Sequence, residues 1–147
     1  GKKVQFKPMP QFAPEAFRIL RAKSLGKYKA FRKGLEQLAA EGVVQILKNE
    51  ARGDASPVMA AVGPMQFEVM QARMEFEYNV ETVTEPIPYS VARRTDAESA
   101  PELGRQRGVE IFTRQDGELI ALFGDKWKLA FIEKEHPELT METLVAD

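Results

Sequence analysis

The chain has 147 residues, of which 44% are apolar and 29% charged, a composition typical of one soluble domain with enough apolar surface to bury a core. It contains no cysteine and a single histidine, His136, which excludes disulfides, thiolate metal sites, cysteine nucleophiles and multi-histidine metal sites. No apolar run approaches the roughly 20 residues of a membrane helix, and Lys2 and Lys3 are not followed by the apolar core of a signal peptide. We therefore expect a cytoplasmic protein.

The formal net charge of −1 hides an uneven distribution of charge along the chain. Residues 1–48 contain eleven lysines and arginines against three glutamates, a net charge of +8, so the remaining residues carry a net charge of −9. Such a basic segment favours a phosphate-rich partner, although a lysine-rich helix can also simply be solvated. The charge pattern alone leaves both interpretations open.

The N-terminal segment alternates briefly between apolar and polar residues over residues 4–6 and then becomes rich in proline up to Pro14. This pattern predicts a short edge strand, or the tail of an upstream element, followed by an extended linker. We therefore expect the chain to begin within a longer protein.

A strand and a long helix are predicted next. Residues 17–22 follow a strand-like pattern, and Ser24 is predicted to cap a helix over residues 25–41 that Gly42 ends. The apolar residues of this helix form one stripe at helical spacing, made of Tyr28, Phe31, Leu35 and Leu38. Gly34 lies inside the helix and lowers helix stability by about 1 kcal/mol relative to alanine. It therefore marks either close approach by another backbone or a loss of stability that the fold tolerates.

Two further strands and a second helix complete the first half. Residues 43–48 and 58–63 are strand-like runs separated by a turn-rich segment, which predicts a hairpin. Pro64 suits the first turn of a helix, and the apolar stripe of that helix consists of Phe67, Met70, Met74 and Tyr78. Residues 80–85 alternate as a strand, so residues 11–86 read as one β-α-β-β-α-β unit.

The second half repeats this order of elements without repeating the sequence. Residues 89–94 are a strand candidate, and Ser99 with Glu102 forms a capping-box pattern for a short helix. The strands predicted over residues 109–115 and 118–123 are joined by a two-residue hairpin turn at Asp116 and Gly117.

A last helix and strand close the chain. Asp125 is predicted to cap a helix that carries Trp127, Ala130 and Phe131 and ends at His136, before a short strand near residues 139–145. Residues 87–147 then form a second unit. The predicted fold class is α+β, with two consecutive split β-α-β (β-α-β-β-α-β, ferredoxin-like) units packed as one domain.

The sequence contains no recognisable catalytic constellation. Gly63 and Pro64 are not followed by the second glycine and the lysine of a phosphate-binding loop, and one histidine at a helix end is a poor partner for a serine nucleophile. The segment 41–45 loosely echoes the glycine-valine-glutamine turn of acylphosphatases, but the arginine and asparagine of that chemistry are not in register. We therefore expect no catalytic, cofactor or metal site in this chain.

The segment 59–81 is similar to the strand-helix-strand signature of translational GTPases. In elongation factor G and its relatives this stretch resembles Gly-x-Leu-His-Leu-Glu, then an arginine, then Phe-Asn-Val-Glu. Here Gln66-Phe67 replaces the His-Leu pair, and Tyr78 precedes Asn79-Val80-Glu81. This Gln-Phe form most closely resembles the corresponding stretch of peptide chain release factor 3.

Further stretches agree with this narrower family in order along the chain. They are Gln11-Phe12-Ala13-Pro14-Glu15, Phe17-Arg18, Lys33-Gly34-Leu35-Glu36-Gln37-Leu38 and Glu41-Gly42-Val43-Val44-Gln45. In the second half only Ser90-Val91-Ala92-Arg93 matches the family pattern. The chain thus resembles the C-terminal domain, domain III, of bacterial peptide chain release factor 3, a translational GTPase.

The resemblance implies a parent protein with a GTPase domain, which binds GTP or GDP and Mg²⁺, and a β-barrel domain whose end lies in residues 1–10. It implies a factor that uses GTP to drive class I release factors off the ribosome. The expected partners of this monomeric domain are the small ribosomal subunit with its RNA and the parent's own GTPase and barrel domains, and class I release factors are indirect partners. Alternatives are the matching domain of an elongation factor G-like or ribosomal protection protein, or a stand-alone RNA-binding module.

The basic residues of the first half are the expected contact with ribosomal RNA, because phosphates offer a sequence-independent and salt-sensitive partner. They are Arg18, Arg21, Lys23, Lys27, Lys29, Arg32 and Lys33.

Overall fold

The computed structural model describes residues 12–144. The elements follow in the order β1 (Ala16–Ala22), α1 (Tyr28–Ala40), β2 (Gln45–Lys48), β3 (Val58–Ala61), α2 (Pro64–Tyr78), β4 (Thr82–Pro86), β5 (Val91–Thr95), α3 (Ala100–Gly104), β6 (Val109–Arg114), β7 (Leu119–Phe123), α4 (Lys126–Glu135) and β8 (Glu142–Thr143). Short 3-10 turns occur at Leu25–Lys27 and Glu50–Arg52. The strand predicted over residues 4–6 lies outside the described residues, as does the end of the last predicted strand.

The strands form one sheet in the order β4-β1-β3-β2-β6-β7-β5-β8, with antiparallel neighbours. The first unit (β1–β4) therefore has the order 4-1-3-2, and the second unit (β5–β8) has the same order read from the opposite edge. This order follows from two split β-α-β crossovers in each unit, each of which leaves room for an intervening antiparallel strand. The predicted α+β class with two ferredoxin-like units is confirmed.

The two helices of the first unit bury their apolar stripes on one face of the sheet. Phe31, Leu35 and Leu38 of α1 lie with Met70 and Met74 of α2 in one buried cluster, as their helical spacing predicts. Gly42 follows α1 with a φ of 84°, and its amide donates to the carbonyl of Ala39. A left-handed conformation at this position favours glycine and ends the helix.

The faces of the two units that carry no helix among the described elements pack against each other. Phe17 and Val58 of the first unit share a buried cluster with Phe112, Ile120 and Leu122 of the second. All four residues of β3 are fully buried, because this strand is covered by helices on one side and by the second unit on the other. The four α-helices of the described residues therefore lie on the outer faces of the two units.

Two predicted helix caps are wrong. Ser24 makes no side-chain cap hydrogen bond among the described residues, and a 3-10 turn separates it from α1, which begins at Tyr28. Ser99 is already helical, with φ of −84° and ψ of −25°, so it is not in the extended conformation of a capping residue. Instead Asp96 Oδ1 accepts from the Ser99 amide at 2.8 Å, and Ser99 Oγ accepts from the Thr140 amide at 2.9 Å.

The hairpin between β6 and β7 is one residue longer than predicted. The Arg114 amide donates to the Glu118 carbonyl and the Gly117 amide donates to the Arg114 carbonyl, both at 2.8 Å, so the loop holds residues 115–117. Gly117 has a φ of 90°, which suits a glycine at the bulge position of a three-residue loop. The predicted cap of α4 is confirmed, because Asp125 Oδ1 accepts from the Lys128 amide at 2.8 Å.

Candidate nucleic-acid interface

The basic residues of the predicted ribosome contact lie on different elements and do not share one face. Arg18 and Arg21 are three residues apart on β1, so strand alternation places them on opposite sides of the sheet. Arg18 Nε donates to Thr84 Oγ1 at 3.0 Å on the side covered by α1 and α2. Arg21 pairs with Glu85 at 3.1 Å on the other side. The seven residues therefore do not lie on one face of the sheet, and their contact with RNA stays a prediction.

Several of these cations already have acidic neighbours. Lys23 lies 3.9 Å from Glu81, and Arg32 lies 3.6 Å from Glu36 one turn along α1. The Arg32 guanidinium also lies 6.0 Å from the centre of the Tyr28 ring. Exposed pairs of this kind contribute about 0–1 kcal/mol, but a phosphate approaching Lys23 or Arg32 meets a carboxylate as well.

The remaining lysines give the outer face of α1 its positive charge. Lys29 and Lys33 lie one turn apart and are both exposed, and Lys27 precedes them in the 3-10 turn. Within residues 12–144, these three lysines form no ion pair with a carboxylate at 4.0 Å or less. Lys27, Lys29 and Lys33, called here the α1 lysines, are therefore the part of the predicted contact best placed to neutralise phosphates.

The cleft beside these residues is electrically mixed. It has a volume of about 260 Å³ and is lined by Lys23, Ser24, Lys27, Glu75, Asn79 and Glu81. Two glutamates offset the two lysines, so the cleft does not favour an anion. Lys29 and Lys33, on the exposed face of α1, do not line this cleft.

The strongest ionic cluster of the first unit joins its two helices. Arg73 of α2 donates to the carboxylates of Glu41, at the end of α1, and Glu77. The hydrogen bond from Arg73, followed by one from Gln37, lowers the pKa of Glu41 to about 2. Both carboxylates accept from the same guanidinium, which fits a structural link between helices.

A second ionic cluster crosses the β2–β6 junction, where the two units meet. Arg52 donates to both oxygens of Glu110, at 2.6 and 2.8 Å, and Tyr89 Oη and Asn49 Nδ2 donate to the same carboxylate. The Arg52 hydrogen bond lowers the pKa of Glu110, whereas burial and then the bond to Glu110 raise the pKa of Tyr89. The cluster holds the units together.

Two negative findings apply to the part of the chain that the structure describes. Among residues 12–144, no three acidic or histidine side chains are grouped to hold a metal ion. None of the helices in that range combines the length and the apolar composition needed to cross a membrane.

The structure also exposes aromatic residues that sequence reasoning did not assign to a contact. Phe112 and Phe123, which lie in core-like runs, are buried at 1% and 0% exposure, whereas Trp127 and Phe131 on α4 are 72% and 57% exposed. The sequence offers two apolar stripes on this helix, and the structure shows which of them is buried. Leu129 and Ile132 form the inward stripe of α4, and the two aromatic residues lie opposite it.

Comparisons with known proteins connect this geometry to a family. A family model described as "Class II release factor RF3, C-terminal domain" matches residues 6–133. Peptide chain release factor 3 of Synechococcus elongatus is 39% identical over 146 residues, 98% of this chain and 26% of that protein. The same factor of Trichodesmium erythraeum is 40% identical over 143 residues, 96% of this chain and 26% of that protein.

A third relative gives a similar result. Peptide chain release factor 3 of Symbiobacterium thermophilum is 38% identical over 141 residues, 95% of this chain and 26% of that protein. The chain thus spans about a quarter of the length of the relatives it matches. The motif around Gln66 and Phe67, the order of the strands and the family match agree, and the chain belongs to the family of class II release factor RF3 C-terminal domains.

Proposed function

We propose that this chain is the ribosome-docking, C-terminal domain of a translation termination GTPase that promotes GTP-dependent dissociation of class I release factors from the ribosome. The observation that carries the proposal is the family match over residues 6–133, together with the relatives named peptide chain release factor 3. In the parent protein, GTP or GDP and Mg²⁺ bind an N-terminal domain, and this chain supplies contacts, not chemistry. The parent acts in the cytoplasm.

The α1 lysines are the proposed centre of the contact with ribosomal RNA of the small subunit. Three observations support this choice: they lie on or next to one helix, Lys29 and Lys33 are exposed, and no carboxylate of the described residues pairs with them. Each phosphate that a lysine neutralises releases condensed counterions, so the contact is expected to weaken as salt rises. The positive electrostatic potential near this contact is increased by the other predicted residues, Arg18, Arg21, Lys23 and Arg32.

We further propose that residues 11–86 and 87–147 move as one body when the nucleotide state of the parent changes, and that residues 1–10 connect to its barrel domain. The shared cluster of Phe17, Val58, Phe112 and Leu122 and the ionic cluster around Glu110 support this rigidity. A rigid monomeric body transmits a rotation at one end to the other.

Ribosome binding by the isolated chain tests the docking proposal. Wild type is expected to co-sediment with small subunits at about 50 mM salt and to lose most binding by about 200 mM. Lys29→Glu with Lys33→Glu should weaken binding at least about tenfold, because two phosphate contacts become repulsive. The matched control, Lys29→Arg with Lys33→Arg, keeps both charges and should bind like wild type.

Two results would contradict the proposal. One is the absence of binding even at low salt, and the other is binding that does not change with salt. Equal loss in the glutamate and arginine variants would show that charge on α1 is not what the ribosome contacts.

A further inference from the structure

The outer face of α4 presents an aromatic surface to solvent. Trp127 and Phe131 lie one turn apart, and they are 72% and 57% exposed. Leu129 and Ile132 face the opposite way and are buried against the second unit's sheet. Exposing both large rings costs hydrophobic free energy that burying them would regain, so the surface is of the kind that marks a binding site.

Lysines lie next to both rings of this surface, and α4 as a whole carries Lys126, Lys128 and Lys134 against Glu133 and Glu135. Lys126 Nζ lies 5.0 Å from the centre of the Trp127 ring, and Lys128 Nζ lies 5.8 Å from that of Phe131. Within the described range, neither lysine has an ion pair at 4.0 Å or less, and Asp125 Oδ1 accepts from the Lys128 backbone amide. Gly108 lies near the aliphatic part of Lys128, and Arg107, the residue before it, is exposed.

A second exposed apolar stripe, on α2, has the opposite electrostatic character. Its Met65, Val69 and Phe76 are 68%, 41% and 93% exposed. The neighbouring charges on that helix are Glu68, Glu75 and Glu77, and its arginine, Arg73, is held by carboxylates. Phosphates would be repelled from α2 and attracted to α4, so the two stripes fit partners of different chemistry.

We propose that the outer face of α4 binds unpaired RNA, with one base stacked on Trp127, a neighbouring base against Phe131, and the adjacent phosphates at Lys126, Lys128 and Arg107. Flat aromatic rings flanked by cations are the arrangement that binds single strands, because every base has a face for stacking and every nucleotide carries a phosphate. A duplex keeps its bases within the helical stack, so the ligand is a loop, bulge or single strand. Only the source of that RNA, the ribosome, rests on the function proposed above.

Trp127 is the single tryptophan of the chain, so its fluorescence reports on this surface alone. Short single-stranded oligoadenylate should quench Trp127 at low salt, and the same strand annealed to oligouridylate should bind at least about tenfold more weakly by the same readout. Phe131→Ala and the pair Lys126→Glu with Lys128→Glu should each weaken the single strand about tenfold. Trp127→Ala should also weaken binding of the single strand about tenfold, and this variant is measured by the anisotropy of a labelled oligonucleotide.

Phe76→Ala is the matched control, because it removes an aromatic ring that is more exposed than either α4 ring but has acidic neighbours. It should leave the affinity for RNA unchanged. Thermal unfolding of Trp127→Ala and Phe131→Ala should match wild type, which separates loss of contact from loss of fold. Equal loss in Phe76→Ala and Phe131→Ala would overturn the proposal.

Other outcomes also decide the matter. Equal quenching of Trp127 by duplex and single strand, or no quenching at low salt, would overturn the stacking proposal. A Trp127 response to ribosomal proteins but not to RNA would overturn it too, and would assign the surface to a protein partner. The Lys29→Glu, Lys33→Glu variant should retain the oligonucleotide response. Ribosome binding without an oligonucleotide response would contradict this inference alone. An oligonucleotide response without ribosome binding would contradict the docking proposal alone.

Discussion

At the scale of single residues, Gly34 is explained by a side chain and not by a backbone. A Cβ at this position would lie 2.6 Å from Met74 Sδ and 3.0 Å from Tyr78 Cδ2. Met74 is fully buried, so its thioether has little space in which to move. The sequence suggested close approach by another backbone, and the structure corrects this to close packing by the methionine and tyrosine of α2.

Gly34→Ala is therefore expected to lower the free energy of unfolding by about 1 kcal/mol, because overpacking of about 1–3 kcal/mol exceeds the helix-propensity gain of about 1 kcal/mol. The measurement is urea denaturation. Gly104→Ala is the control, since its new Cβ would meet Ile111 at an ordinary 3.4 Å, and it should be neutral or slightly stabilising. A stabilised Gly34→Ala protein would show that the α1–α2 contact adapts easily.

At the scale of elements, α1 and α2 are tied together at one end by Glu41, Arg73 and Glu77. The pKa of Glu41 is lowered to about 2 from an ordinary value of 4.5, chiefly by the hydrogen bond from Arg73. A carboxyl whose pKa is lower in the folded state stabilises the fold when ionised. This contribution is present above pH 4.5 and is lost as the pH falls towards 2.

Glu41→Gln should accordingly reduce the acid dependence of stability between pH 4.5 and 2. The measurement is the midpoint of thermal unfolding at several pH values in that window, compared with wild type. Glu68→Gln, on the same helix as Arg73 but exposed and without an ion pair among residues 12–144, is the control. Identical pH profiles for wild type and Glu41→Gln would show that the link does not persist in solution.

At the scale of the whole molecule, the β2–β6 junction and the packed helix-free faces combine two small units into one body. Strands β2 and β6 pair at two positions, Leu47 with Arg114 and Lys48 with Thr113. The Glu110 carboxylate adds bonds from Arg52 and Tyr89 across or beside that junction. Each unit alone would expose its half of the shared cluster, so we expect a single cooperative unfolding transition.

Glu110→Ala should lower the free energy of unfolding by about 1–2 kcal/mol, since it leaves the half-buried Tyr89 and Asn49 and the guanidinium of Arg52 without their acceptor. Circular dichroism reports on both units and Trp127 fluorescence on the second, and the two transitions should still coincide. The control is Glu142→Ala, which removes an exposed partner of Arg94 and should change stability by less than about 0.5 kcal/mol. Separate transitions for the two probes would show that the units unfold independently.

Local rules account for most of what the sequence predicted correctly. The stripes of Phe31 and Leu35 in α1 and of Met70 and Met74 in α2 follow from helical spacing alone. The Asp125 cap depends on a residue three positions away. The predicted cap at Ser99 is wrong because its hydroxyl accepts from the Thr140 amide, 41 residues away and outside the range of any local rule.

The sequence by itself determined the family, the order of the elements and the α+β class, because motifs, helical and strand periods, and turn residues all act over a few positions. Only the tertiary structure decided that Arg21 meets Glu85, 64 residues away, that the units share one sheet and one cluster, and that Trp127 faces solvent. These features depend on which surfaces meet when distant segments bury apolar area together. That choice is made by the packing of the whole chain, and no single segment encodes it.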